Sequence, residues 1–357
     1  MLTSVWVAIF FLAGTLSHAQ PTQPAGAPSE EVAKGIRLYR QGDIDGALTV
    51  LRDRVQKSKD DALAWHYLGL SLSFKDDFKG ARKALERAIK LRPDFASSHS
   101  ALAYSLLYTK GVKDAEKQAN LAFSLDSQDR GAHYVIGIIR LHAASCSEAL
   151  AHADAIIVHS SDFAPAYLLK SQSLLCDIAE RSHKPLPLAP PGSKTSSPGE
   201  LSDHQKRQKL RSTAVVFAEA AANIERFLQL APRVADAELW GEQLTNLRLY
   251  AEPANKSETE RTVFNSPEIT TRARVLSKPV PVYTDNAKTA GVVGTVILSA
   301  VFAADGTVKN ILVLRPLPNG LTAQAIKAAQ KIKFEPATKD GRAVSTYIQL
   351  EYNFNLY

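Results

Sequence analysis

Nine histidines and two cysteines are the side chains of this 357-residue sequence best suited to chemistry, and their placement argues against most of it. The histidines are scattered. His66, His99, His133, His142 and His152 fall singly on helical stretches, so neither a metal-ligand cluster nor a catalytic constellation is read from them. His99 and His133 occupy the place that Trp65 holds in an earlier stretch of the same pattern, which favours a packing ring over a ligand. Gly291-x-x-Gly294 precedes a strand and lacks the Lys-Ser/Thr that a phosphate loop needs, and no Ser or Cys nucleophile motif occurs. The expectation is a protein without catalytic residues, cofactor or metal. Cys146 and Cys176 sit where two neighbouring helices can bring them together, as a disulfide or as two separately buried thiols.

The elements that carry these residues repeat. From Ala62, the residues Trp65, Leu68, Gly69 and Leu72 mark a first helix, Ala81, Leu85 and Ala88 a second, and Pro93 its end. This is the spacing of a tetratricopeptide repeat, and the stretch resembles that family. Steps of about 34 residues land on His99, Leu102, Ala103, Leu106, Ala115 and Ala122, then on His133, Ile136, Gly137, Ala149 and Ala153, and backward on Gly35, Leu38, Ala47 and Leu51. Four repeats are read between Pro28 and Phe163, with a helix from Ala164 opening a degenerate fifth; residues 30–182 are taken as the repeat region. A Pro/Ser/Gly-rich loop over 183–202 interrupts it. A capping pair of helices over 203–251 closes it, with Ala218, Ala221, Ile224, Phe227 and Leu228 as the apolar stripe.

Upstream, residues 1–19 read as a signal peptide, since Val5 to Leu16 is mostly apolar and Ser17-His18-Ala19 places small residues before a cleavage point; an uncleaved anchor is the alternative. Residues 20–29 form a disordered lead-in. The net charge of +7 is uneven: Glu268 to Tyr357 holds 11 Lys/Arg against 6 Asp/Glu, leaving 32 against 30 elsewhere. No basic run interleaved with aromatics occurs, so nucleic acid is not an expected partner.

Beyond a polar linker at 252–267, the helical pattern gives way to alternation. Thr295 to Phe302 and Val308 to Leu314 flank Asp305-Gly306, a hairpin signal, then Leu321 to Ile332 reads as a helix and Val344 to Asn355 as a last strand. Gly291-x-x-Gly294-x-Val296, Phe302-x-x-Asp305-Gly306-x-Val308, the Ala323, Ala325 and Ala328 helix, Phe334-x-Pro336-Ala337, Gly341 and Tyr352-x-Phe354 resemble, in order and spacing, the C-terminal domain of TonB-type energy transducers. One departure is Tyr283-Thr284, where that family usually has Tyr-Pro. The expected fold is mainly α: a tetratricopeptide α-solenoid followed by a ββαβ TonB-like module over 268–357.

Two partner surfaces follow. The solenoid groove is expected to present His66, Leu70, Phe74, Ser100, Tyr104, Leu107, Tyr108, Tyr134, Ile138 and His142 to a peptide, or to pack them between helices. The module is expected to offer a sheet edge along Val344, Thr346, Ile348, Leu350, Tyr352 and Phe354; the resemblance implies pairing with a segment of an outer-membrane receptor. The edge could instead pair in cis with Arg272 to Pro279, or with a second copy. The function expected is an exported adaptor of the cell envelope or periplasm that binds proteins or peptides. The alternative is an energy transducer for receptor-mediated transport, anchored through an uncleaved N-terminus.

Overall fold

A computed structural model describes residues 28–109, 111–183, 203–232, 234, 237–252, 263–264 and 268–356. The stretch read as a signal peptide, nearly all of that read as a lead-in, residues 184–202 of the expected loop and most of the expected linker lie outside them. Among the described residues no helix is long and apolar enough to cross a membrane.

Among the described residues eleven helices come first: α1 (Glu30–Gln41), α2 (Ile44–Lys57), α3 (Ala62–Phe74), α4 (Phe78–Leu91), α5 (Ala96–Leu107), α6 (Val112–Leu125), α7 (Arg130–His142), α8 (Cys146–His159), α9 (Ala164–His183), α10 (Asp203–Leu230) and α11 (Ala237–Ala251). Acidic caps start many of them. Asp43, Asp61, Asp77 and Asp129 each accept the N–H three residues on, at 2.7 to 3.0 Å, satisfying a donor the helix itself cannot pair. Within a pair, the two helices touch through small residues. A Cβ on Gly69 would stand 2.5 Å from Leu85 Cγ, and one on Gly35 2.7 Å from Leu51. That close approach lets Ala47, Leu51, Ala81 and Leu85 become fully buried in one continuous core from Val32 to Cys176.

The C-terminal module contains β1 (Val263–Phe264), β2 (Arg274–Ser277), α12 (Asp285–Thr289), β3 (Gly294–Phe302), β4 (Val308–Arg315), α13 (Leu321–Ala329), β5 (Lys333–Glu335), β6 (Ala337–Lys339) and β7 (Arg342–Phe354). The main sheet has the order β1-β7-β3-β4, with β6 also paired to β7. At the β3–β4 turn Gly306 has φ +82°, and Ala303 N–H donates to Thr307 O, which is the geometry expected of Asp-Gly. Helix α13 lays Leu321, Ala325, Ala328 and Ala329 on the sheet against Val296, Leu298 and Phe302. It stops at Ala329, short of the expected Ile332, although Ile332 is still buried.

The strand, strand, helix, strand frame is as read, with short strands added to it. One of them, β1, lies within the stretch read as linker and runs parallel to β7 at Ser345 and Thr346. The departure at Tyr283-Thr284 also acquires a role. Thr284 caps α12, accepting from Ala287 N–H at 3.2 Å and donating to Asn319 O at 2.6 Å. Tyr283 donates its hydroxyl to Val292 O while its ring packs edge-on against Phe354.

Candidate functional site: two sheet edges and a repeat groove

A sheet of this kind has two outer strands, and the protein treats them differently. Strand β4 lies against the solenoid's last helices. Gln243 on α11 donates from Nε2 to Ile311 O and accepts from Val313 N–H with Oε1, both at 3.0 Å. One side-chain amide thus offers β4 the donor and acceptor that a neighbouring strand would offer. Asn246 donates a second hydrogen bond to Ile311 O at 3.0 Å, and Tyr250 OH donates to Asn310 O at 3.3 Å. Gln243 and Asn246 are each 3% exposed. Beside them Arg315 donates to Glu180 of α9 at 2.6 Å, and Ile297, Leu312 and Leu314 share an apolar cluster with Leu168, Leu175, Phe217, Ile224 and Leu247. Helices α9, α10 and α11 therefore cover one edge of the sheet.

The other edge is β7. On its outer side β1 runs parallel to it at Ser345 and Thr346, and beyond Thr346 no strand lies there among the described residues; β6 pairs with Arg342 to Val344, before the stretch that pairs with β3. Segment Arg272 to Pro279 does not supply one, because β2 pairs antiparallel with β5 instead. Lys278 reaches over, donating from Nζ to Glu351 O at 2.7 Å, with its charge 4.7 Å from the Tyr352 ring. Since that carbonyl turns away from β3, strand alternation turns the backbone of Tyr347, Gln349 and Asn353 the same way.

The side chains named for this edge are arranged accordingly. Thr346, Leu350, Tyr352 and Phe354 are buried and Val344 and Ile348 half-buried, so they hold the strand to the core and the outward groups belong to the residues between them. Tyr352 OH is buried with no hydrogen-bond partner among the described residues, and loss of hydration pushes its pKa up to about 12.

Along the solenoid the groove residues pack mostly on one another. His66, Leu70, Ser100, Tyr104 and Tyr134 are buried, whereas Phe74, Leu107, Tyr108, Ile138 and His142 are half-buried. Tyr108 stacks on Phe78 at 4.3 Å, its hydroxyl meets that of Tyr104 at 3.3 Å, and Tyr134 stands edge-on to Phe163. Burial raises the phenol of Tyr108 to about 12 and lowers the imidazole of His142 to about 4. Cys146 and Cys176 are joined as a disulfide between α8 and α9, with Cα atoms 5.6 Å apart. Among the described residues no group of three or more His, Cys, Asp or Glu could hold a metal ion.

The Trp65 position repeats as a hydrogen bond. Trp65 Nε1, His99 Nε2, His133 Nε2 and Tyr167 OH each meet the carbonyl six residues earlier, at Lys59, Pro93, Ser127 and Ser161, over 2.9 to 3.0 Å. The rings do pack as expected, and they also pin the turn between repeats. Gln243, Asn246 and Tyr250 were not foreseen. The available signal was two amides three residues apart among Trp240, Leu244 and Leu247, on a helix face that otherwise reads as core.

Comparison with known proteins matches this division. Residues 279–356 fit the family model for the Gram-negative bacterial TonB protein C-terminal, and residues 62–95 that of the tetratricopeptide repeat. No curated protein matches the chain. Similar solved structures include TTC0263, a thermophilic TPR protein of Thermus thermophilus, at 13% identity and TM-score 0.44, covering 61% of this chain and 97% of that one. PilW, a type IV pilus biogenesis factor, gives 14% and 0.41, covering 63% and 90%. YrrB, described as a TPR protein with an unusual peptide-binding site, gives 14% and 0.34, covering 60% and 90%. Both families are generally interaction modules without enzymatic activity, and protein or peptide partners fit them.

Proposed function

We propose that this chain, a tetratricopeptide solenoid closed by a TonB-type module, is an exported, non-enzymatic adaptor of the cell envelope. The module docks an extended segment of a partner protein on the outer side of β7 while the solenoid holds a second partner. The observation that carries this reading is the inequality of the two edges: β4 is sealed by Gln243 and Asn246, and β7 has no strand beside it past Thr346 among the described residues. The disulfide supports export, because such bonds persist in oxidising compartments. The pairing of a segment of an outer-membrane receptor with β7 belongs to the same proposal.

The test is capture of partners from a native envelope extract by the protein and by two proline variants. Asn353→Pro removes an N–H on the outer side and leaves the β3 ladder intact, so it is expected to fold and to lose capture. Ile348→Pro removes an N–H that faces β3 and serves as the misfolded control. Undiminished capture by a folded Asn353→Pro protein overturns the assignment of β7. Export is tested separately: a mature protein starting near Gln20 in the soluble periplasm agrees with the adaptor, and intact Met1 in a membrane fraction overturns it in favour of an anchored transducer.

A further inference from the structure

The fourth repeat contains a pair of imidazoles found in no other described repeat. His133 on α7 and His152 on α8 face each other with Nδ1 atoms 2.9 Å apart. One repeat earlier the same two places hold His99 and Gln118, again 19 residues apart, with His99 Nδ1 2.7 Å from the Gln118 side-chain oxygen. Both histidines are tethered at the other nitrogen: His99 Nε2 to Pro93 O and His133 Nε2 to Ser127 O. A carbonyl only accepts, so each Nε2 must carry a proton.

The two pairs then respond differently to acid. In neutral His133, Nδ1 is a bare lone pair, so His152 must hold its own proton on Nδ1 to bridge the gap. One added proton is tolerated: His133 Nδ1 becomes the donor, and His152 shifts its proton to Nε2 and accepts. A second is not tolerated, since two N–H groups then point at each other with two positive charges 2.9 Å apart. Gln118 has no such limit, because an amide can turn either its oxygen or its NH2 toward the ring.

We propose that the His133–His152 pair is an acid-sensitive stitch: it holds α8 on α7 while the pair carries at most one extra proton and releases it when both rings are charged. The surroundings favour the neutral state of His152. Desolvation lowers its pKa, with His133 and Arg140 acting in the same direction and Glu148 opposing them. Arg140 of α7 is itself held by Glu116 of α6 and Glu148 of α8, and Lys170 of α9 by Asp154 of α8 and Glu219 of α10. Asp129, one turn before His133, accepts from Ala132 N–H and Ser97 OH. His142, at the end of α7, is a separate half-buried imidazole with its own acid response.

The experiment is amide hydrogen exchange on the full chain between pH 7.5 and 5, corrected for intrinsic rates, for wild type and His152→Gln. That variant rebuilds the His99–Gln118 pair in the fourth repeat. Because the folded-state pKa of His152 lies below the unfolded one, protection in α8 is complete above the ordinary histidine range. It is expected to fall by about tenfold for each pH unit below it in the wild type. His152→Gln is expected to lose that component and keep only the response from His142, with α5 and α6 unchanged. Parallel pH profiles for the two proteins overturn the proposal. Imidazole 15N shifts of the wild type provide a check that needs no variant. Nδ1–H on His152 with Nε2–H on His133 at neutral pH, followed by a two-step titration, supports the stitch; two Nε2–H rings titrating independently overturn it.

Discussion

His66 shows what a buried ring does to this protein in acid. Its side chain lies between Phe95 and Tyr67, with Nδ1 2.9 Å from Ser98 Oγ, and burial lowers its pKa from 6.5 to about 3, with Arg92 adding to the effect. A folded-state pKa below the unfolded one means that the unfolded chain takes up the proton first as pH falls. The contribution of neutral His66 is therefore complete above the unfolded value and is lost progressively between it and the folded one. At roughly 1.4 kcal/mol per pH unit, unfolding free energy at pH 4.5 should be about 2–3 kcal/mol lower than at pH 7.5 from this ring alone. Urea titrations at the two pH values measure it. His66→Phe keeps the ring and removes the titration, so its pH dependence should be shallower by that amount; an equally steep profile would show that His66 does not cause it. The sequence revealed that His99 and His133 replace a packing aromatic. It did not reveal their hydrogen bonds, because the accepting carbonyl lies six residues back across a turn whose path only the fold determines.

At the scale of helices and strands, the spacing of Gly69, Ala81 and Leu85 made the repeat legible, since close helix packing demands small residues at fixed intervals. The Asp-Gly turn was legible for a similar reason: Gly306 sits at φ +82°, where other residues are strained. Short strands such as β1 were not, because two residues carry no periodicity and exist only by pairing with β7. The pairing of Cys146 with Cys176 depended likewise on how α8 meets α9, and sequence left it open. That disulfide closes a loop across a sequence separation of 30 residues, which by loop entropy corresponds to about 3–4 kcal/mol. Denaturant unfolding with and without a thiol reductant should show a loss of this order, concentrated in α8 and α9. An unchanged midpoint in the reduced protein would mean that the packing of Ile156, Phe163 and Leu169 already fixes the α8–α9 crossing.

For the molecule as a whole, the seal on β4 makes solenoid and module one body. The apolar cluster runs from Leu168 and Leu175 through Phe217 and Leu247 to Ile297, Leu312 and Leu314, and the buried amides of Gln243 and Asn246 bridge the same seam. Unfolding of the last helices and of the sheet should therefore be one cooperative event in calorimetry. Gln243→Ala is the sharpest probe, because it removes the Gln243 partner of Val313 N–H while Ile311 O keeps Asn246. Leaving this half-buried donor without that partner costs up to about 1–3 kcal/mol, the figure for a fully buried one. The same substitution loosens the outer side of β4, a template for pairing with another chain. Two signs should appear together: the module's transition separates from that of the solenoid at a lower temperature, and association rises with concentration in light scattering. If the variant melts in one step at an unchanged temperature and scatters no more than the parent, the apolar cluster alone joins the two parts. The amides then serve only to satisfy the backbone of β4, and the inequality of the two edges would rest on steric cover from α11.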